Sequence, residues 1–188
     1  MREAILTVGP RASGKSDFCE KAVAANPEVV FISRDQILVE LFGDTSIDPY
    51  LGGHLYAMDQ MWRTIEKKAR LTPDLKMIVD AWNESSEERV RIIRKFRDLG
   101  ADRVAAWYLI TPVNYVREWF WKKPGIAKFS EMKEKRGKNL TFYSDNAPQS
   151  DHEMFHRLAA NIDSDGFDEI VRIDPLITLP ETVFKISR

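Results

Sequence analysis

Five short apolar runs punctuate the chain, at residues 4–8, 29–32, 77–80, 104–110 and 169–173. They are rich in Val and Ile and lack the alternation of a half-solvated strand, so they predict strands buried on both faces. Between them lie segments with helical spacing, at 15–25, 35–41, 51–70, 85–99 and 113–121. In the fourth of these, Ile92, Ile93 and Phe96 fall on one face. Ser85, Ser86, Glu87 and Glu88 read as a capped helix start and Gly100 as a helix stop. Strand and helix in regular alternation predict an α/β fold, a parallel sheet of about five strands with helices on both faces. Ligands of such sheets lie beyond the carboxyl ends of the strands.

The pattern weakens from Lys122 to Ser150, where Pro124-Gly125, Arg136-Gly137 and Asn146-Ala147-Pro148 interrupt it. An insertion or lid over about 115–150 is expected there. A further helix is expected over 151–162, and the tail from Asp174, punctuated by Pro175 and Pro180, as an extended strand crossing the body. No internal repeat or low-complexity tract is visible. The 188 residues fit a single domain, 1–188.

Composition narrows the class. Hydrophobic residues at 44% and charged residues at 30% give an ordinary globular balance. Cys19 has no partner for an internal disulfide, which suits a reducing compartment. The start, MREAILTVGP, lacks a signal-peptide core, and the longest uncharged apolar run, Val104 to Val113, is too short to span a bilayer as a helix. A cytoplasmic protein without membrane partners is expected.

Net charge is −1, but unevenly spread. Between Arg117 and Lys138 stand Arg117, Lys122, Lys123, Lys128, Lys133, Lys135, Arg136 and Lys138 against Glu118, Glu131 and Glu134, so this segment carries +5 and the remainder −6. It is either a phosphate-attracting patch or a solvated helical face.

The phrase GPRASGKS, Gly9 to Ser16, fits G-x-x-x-x-G-K-[ST], follows the first strand and opens a helix. Gly9 and Gly14 free the backbone to turn its N–H groups inward, and Arg11, Ala12 and Ser13 complete the loop. The helix N-terminus adds partial positive charge. Lys15 is placed to reach the β and γ phosphates of a nucleoside triphosphate, and Ser16 to offer a hydroxyl to Mg²⁺. ATP with Mg²⁺ is the expected pair, and a P-loop NTPase fold the expected architecture.

Ser33-Arg34-Asp35 falls at the end of the second strand. A carboxylate there suits proton removal from an acceptor hydroxyl, and the neighbouring guanidinium suits an anionic group on the acceptor. Asp35 reads equally well as the N-cap of the following helix. Asp80 ends the third strand in MIVDAWN, where an acid orients Mg²⁺ or its water, or simply caps a turn; Trp82 and Asn83 follow on the same edge. Trp119, Phe120 and Trp121 beside Lys122 and Lys123 suit stacking on bases or, equally, anchoring of a lid. Trp62 and Trp107 read as core. His54, His152 and His156 show no metal-ligand spacing with Cys19, and His152 and His156 read as a surface helix face.

Together, GPRASGKS, FISRDQI, MIVDAWNESSEERVRIIRKFRDLGA, WYLITPVNYVREW and DGFDEIVRI resemble the polynucleotide-kinase-type branch of P-loop kinases, over most of residues 1–121 and again at about 151–174. That branch includes 5′-hydroxyl polynucleotide kinases and relatives acting on nucleosides, sugars, antibiotics or hydroxymethylated bases in phage DNA. The resemblance implies a general base at Asp35 and a helical lid whose arginines close over the phosphates. Arg117 matches one lid arginine; EWFWKKPG replaces the second, leaving Lys122 or Lys123 in its place. Leu38 stands where the family has an arginine, and Trp82 where it has a small residue or threonine.

The expected activity is ATP-dependent transfer of the γ-phosphoryl group to a hydroxyl of a nucleic acid or nucleotide-like acceptor, with Asp35, Lys15 and Arg117 catalytic. Arg34, Asp35, Trp82, Asn83, Lys122 and Lys123 would meet the acceptor, and Ser16 and Asp80 would manage the metal. A hydroxymethylated DNA base, a nucleoside, a nucleotide or a small sugar are alternative acceptors. A nucleotide-binding regulator or weak ATPase without acceptor is the rival from another class.

Overall fold

The computed structural model describes residues 2–43, 45, 52–123, 125–135 and 140–186. Pro124, Arg136, Gly137 and Lys138 of the basic segment, and Leu51 at the expected start of a helix, lie outside the described residues. Five strands, β1 (Glu3–Val8), β2 (Val29–Ser33), β3 (Lys76–Asp80), β4 (Arg103–Leu109) and β7 (Glu169–Ile173), form a parallel sheet in the order β2-β3-β1-β4-β7. The buried α/β sheet is the one that the sequence pattern predicts.

Period-two alternation splits the core between the two faces. On one, Ala4, Leu6 and Val8 pack with Val79, Met61 and Ile65 of α3 (Gly53–Leu71), Ile92 and Phe96 of α4 (Ser86–Asp98), and Phe155 of α6 (Ala147–Leu158). On the other, Ile5, Ile78 and Trp107 pack with Phe18, Cys19 and Ala22 of α1 (Lys15–Ala24). Burial pushes the Cys19 thiol well up, so it is a core residue without nucleophilic character. Trp107 is fully buried, whereas Trp62 is half-buried, packing on the core's edge with Lys95 Nζ 4.4 Å from its ring centre. Ser85 caps α4 with a capping box to Glu88, and Gly100 follows its end at φ 81°.

The weakly patterned segment after α5 (Val113–Lys122) holds β5 (Ile126–Lys128) and β6 (Thr141–Tyr143), paired as a parallel ribbon, and the helix expected over 151–162 starts earlier, at Ala147, with a proline in its first turn. The tail does not cross the body as a strand. It makes a 3₁₀ turn, Pro180–Thr182, then α7 (Val183–Ile186). Turning there buries Val183 and sets the Phe184 ring 5.0 Å from that of Trp107, which an extended tail with alternating side chains would not do.

Candidate functional site

Because the sheet is parallel, the ends of β1, β2, β3 and β4 share one edge. Ser33 and Asp80 are register partners there, and the loop from Gly9 leaves β1 between β3 and β4. The loop is shaped by backbone that only some residues tolerate. Ala12 lies at φ 60° and Gly14, the N-cap of α1, at φ 84°. Alternation of this kind turns successive N–H groups toward one point. A side chain at Gly9 would bring a Cβ 2.9 Å from Ser13 Oγ and 3.3 Å from the Leu109 carbonyl oxygen. Ser13 Oγ is itself buried and has no partner among the described residues, a hydroxyl inside the cradle. Lys15 Nζ donates to the carbonyls of Gly9, at 2.8 Å, and Pro10, at 2.9 Å, so its ammonium bridges the loop. Burial lowers its pKa, against the opposing pull of Asp80 and Asp35.

Neighbouring side chains hold the cradle from outside. Thr111 Oγ1 donates to the Ser13 carbonyl at 2.7 Å. Val116 and Phe120 of α5 bury Ala12. The Trp119 ring lies over Gly14. Arg11 lies 3.9 Å from Asp151 of α6 and 5.4 Å from the ring centre of Tyr143 on β6.

Asp80 accepts from Thr7 Oγ1 at 2.7 Å and from Ser16 Oγ at 3.0 Å, and is buried. A hydroxyl and a carboxylate side by side at the head of α1 are hard oxygen donors of the kind Mg²⁺ takes, so Ser16 and Asp80 fit the expected metal. Thr7 escaped the sequence reading because a threonine in a strand run looks like packing.

At the end of β2 the helix α2 (Arg34–Phe42) is capped by Ser33, whose hydroxyl accepts from Gln36 N at 3.3 Å. Asp35 therefore lies in the first turn and is not the cap. Its carboxylate is half exposed and takes both Nε and Nη2 of Arg34, at 3.0 and 2.6 Å. The Arg34 fork is thus engaged by its own neighbour. Trp82 is exposed, whereas Asn83 is buried and gives its amide to the Thr7 and Ala81 carbonyls, so it ties β1 to β3. Glu84, not singled out in the sequence, is raised in pKa chiefly by burial and then by Asp151. It is a carboxyl close enough to feel Arg11 and Lys15.

On α5, Arg117 is exposed. Lys122 pairs with Glu118 one turn back on the outer face. Lys123, where the helix ends, instead couples to the site: its pKa is lowered by burial and then by Lys15, with Asp35 and Asp80 opposing. Its outer surface remains open to solvent. Phe120 is buried while Trp119 and Trp121 flank it, half-buried, so these aromatics anchor α5 to the loop. His152 and His156 are not a surface face. They are half-buried against the end of β4, bonded to the Thr111 carbonyl and to Tyr108. An i, i+4 pair marks a shared face but not what that face docks on.

No helix among the described residues is long and apolar enough to cross a membrane. No curated protein matches the sequence. Similar solved structures include a presumed kinase from Chloroflexus aurantiacus J-10-fl, 11% identical, with TM-score 0.65, covering 100% of this chain and 97% of that one. Shikimate kinase from Bacteroides thetaiotaomicron is 13% identical with TM-score 0.59, covering 98% and 95%. A chain of the Pnkp1/Rnl/Hen1 RNA repair complex is 13% identical with TM-score 0.54, covering 99% and 84%. These likenesses establish the P-loop kinase fold. The family model AAA_33, described as an AAA domain, matches residues 5–159, and the chain belongs to that family.

Proposed function

We propose that the protein is an ATP-dependent kinase that phosphorylates a hydroxyl on a nucleic acid or nucleotide-like acceptor. The observation that carries this reading is the place of Asp35. It is a carboxylate relieved of capping by Ser33, half exposed, and close enough to Lys15 to influence its ionisation. A binding site without an acceptor has no hydroxyl proton for this carboxylate to take.

In this reading the Gly9–Ser16 loop and Lys15 hold the triphosphate. The acceptor oxygen attacks the γ-phosphorus as the bond to the β,γ-bridging oxygen breaks, ADP leaves, and Asp35 takes the hydroxyl proton. Arg34, forked onto the Asp35 carboxylate through Nε and Nη2, holds it in place. Ser16 and Asp80 would hold Mg²⁺, which supplies charge neutralisation across the β and γ phosphates when bound. Lys123, coupled to Lys15 and Asp35, would face the transferring group from the end of α5, and Arg117, exposed on the same helix, would join it on closure. Trp82, an exposed indole on the acceptor edge, favours a substrate with a base to stack.

The test is transfer from γ-labelled ATP to a panel of acceptors, with Asp35→Asn beside wild type. The panel holds 5′-hydroxyl DNA and RNA, single and double stranded, hydroxymethyl-base DNA, nucleosides, nucleoside monophosphates and small sugars. Label on one acceptor class, reduced about 10²–10⁴-fold in the variant while ATP affinity holds, supports the reading. Full transfer by Asp35→Asn removes the base assignment. Hydrolysis alone, equal in both proteins, overturns the kinase reading.

A further inference from the structure

Outside the machinery just described, one set of titratable groups forms a continuous chain. His156 Nδ1 lies 2.5 Å from Tyr108 Oη, His156 Nε2 lies 3.1 Å from His152 Nε2, and His152 Nε2 lies 3.1 Å from the Thr111 carbonyl oxygen. Thr111 continues it into the cradle, since its hydroxyl donates to the Ser13 carbonyl.

The chemistry of the last acceptor fixes the protons of the rest. A carbonyl only accepts, so His152 Nε2 must carry hydrogen. His156 Nε2, facing that N–H, must then present its lone pair. Its proton therefore sits on Nδ1 and is donated to Tyr108 Oη. The whole chain requires a neutral His156. Were it protonated, two N–H groups would confront each other across 3.1 Å.

The surroundings act in the same direction. His156 is half-buried between Tyr108 and Phe155, whose rings lie 5.8 and 6.2 Å from its own. Its pKa is lowered by burial first and by His152 second, from an ordinary 6.5. The charged groups felt by Tyr108 on the packed elements are Arg172 of β7 and Arg89 of α4, both cations. Each has its own carboxylate, Asp163 and Asp165. On α6 the neighbouring acids are Asp151, turned to Arg11, and Glu153, which accepts from Gln149 on the outer face. Folding thus favours the neutral imidazole. This contribution is fully present above the unfolded value of 6.5 and is lost as pH falls from there through the lowered folded value.

We propose that His152 and His156 form a proton-controlled strut between α6 and the phosphate cradle, and that nucleotide binding weakens when His156 takes up a proton. Both are positioning residues: neither reaches the phosphates, and both act through Thr111 on the Ser13 peptide. The inference rests on the nucleotide-binding reading above and adds a regulation to that site.

The experiment is a titration with a fluorescent methylanthraniloyl-ATP and Mg²⁺ from about pH 8 to about pH 5, the range over which histidines charge. Wild type is compared with His156→Gln, whose amide oxygen can still accept from His152. Protonation of the ligand's own phosphate affects both proteins alike, so the difference between the curves is the readout. Wild type is expected to lose roughly tenfold more affinity than the variant on acidification, with a midpoint below the ordinary histidine range. Superimposed curves overturn the proposal.

¹H–¹⁵N NMR on uniformly labelled protein, read at the histidine ring nitrogens and at the Ser13 amide, follows the same strut without any nucleotide. A His156 that carries its proton on Nδ1 and titrates together with the Ser13 amide supports it. A His156 that titrates in the ordinary range, with the Ser13 amide still, overturns it. If no protein binds the nucleotide at any pH, the nucleotide reading fails while the NMR still decides the strut. Should His156→Gln not fold, Tyr108→Phe takes its place. Losing the Oη acceptor weakens the imidazolium most, so the NMR midpoint must fall further, and an unmoved midpoint counts against the chain.

Discussion

The indole of Trp119 lies against Gly14: a Cβ built on that glycine would stand 3.0 Å from Trp119 Cζ3. Gly14 is also at φ 84°, so the position is constrained twice, once by the backbone and once by the lid helix.

The two constraints separate by mutation. Gly14→Ala costs roughly 1–2 kcal/mol for the left-handed backbone alone, and the indole adds to it. Thermal midpoint is expected to fall by several degrees and nucleotide affinity by more than tenfold. Trp119→Ala opens room for the methyl but leaves φ unchanged. The double variant should therefore recover only part of the loss. Full recovery, measured by calorimetry and nucleotide titration, would show that the backbone strain assigned to Gly14 is negligible.

Ser16, Asp80 and Thr7 form one hydrogen-bonded row, and only the first two face the head of α1. Asp80→Asn keeps the shape and removes the charge. It is expected to raise the Mg²⁺ concentration needed for half-maximal phosphoryl transfer about 10–100-fold, in line with losses seen when a group supporting a metal is changed. The fold should survive, since Asn83 still ties β1 to β3 through the Thr7 carbonyl. A chelator should abolish transfer by wild type while leaving its thermal midpoint almost unmoved. An unchanged Mg²⁺ requirement in Asp80→Asn argues that the metal is held elsewhere.

The sheet and the cradle were legible because their signals are local. Runs of Val and Ile ending in Gly9, Ser33 and Asp80 locate strand ends, and parallel pairing brings those ends together without further information. The ribbon was not legible. Ile126–Lys128 and Thr141–Tyr143 are three residues each, too short for any period to show. Pro148 read as loop punctuation but serves the first turn of α6, where its missing N–H costs nothing. Thr111, Glu84, Asp151 and the histidine pair were missed for a different reason. Their roles depend on α6 docking against the end of β4, a contact between distant segments that no local pattern encodes.

Lys122 and Lys123 are adjacent in sequence but differ in surroundings. Lys122 spends its charge on Glu118 at the surface, a pair of a kind worth roughly 0.3–0.5 kcal/mol. Lys123 couples to Lys15 and Asp35. Lys122→Gln should leave phosphoryl transfer within about twofold of wild type. Lys123→Gln should lower kcat about 10²–10³-fold, the loss expected when one preorganised cationic donor to the transferring group is removed. Lys123→Arg should retain most of the activity. Equal effects of the two glutamine variants on steady-state rates would remove Lys123 from the site.

Arg89 and Asp165 are both fully or almost fully buried, and they hold the carboxyl edge of the sheet in place. Arg89 Nε meets Asp165 Oδ2 at 2.5 Å, while its other nitrogens donate to the carbonyls of Asn83, Glu84 and Leu158. One guanidinium therefore ties the loop after β3, which carries Trp82 and Glu84, to the end of α6. Arg89→Met leaves Asp165 buried without its counter-charge, with the Ser86 hydroxyl as its remaining side-chain partner among the described residues, and takes a donor from three carbonyls. Breaking a buried pair in this way costs about 3–5 kcal/mol, a large share of the stability of a domain this size. Urea unfolding should show it as a lower midpoint at unchanged slope. Adding Asp165→Leu removes the orphaned charge, so the double variant should regain much of the loss despite the missing carbonyl contacts. If stability returns but transfer to the acceptor does not, the pair's role is to set the loop rather than to hold the fold. If the single variant unfolds at the wild-type midpoint, the pair does not hold the loop, which is then kept in place by its own backbone.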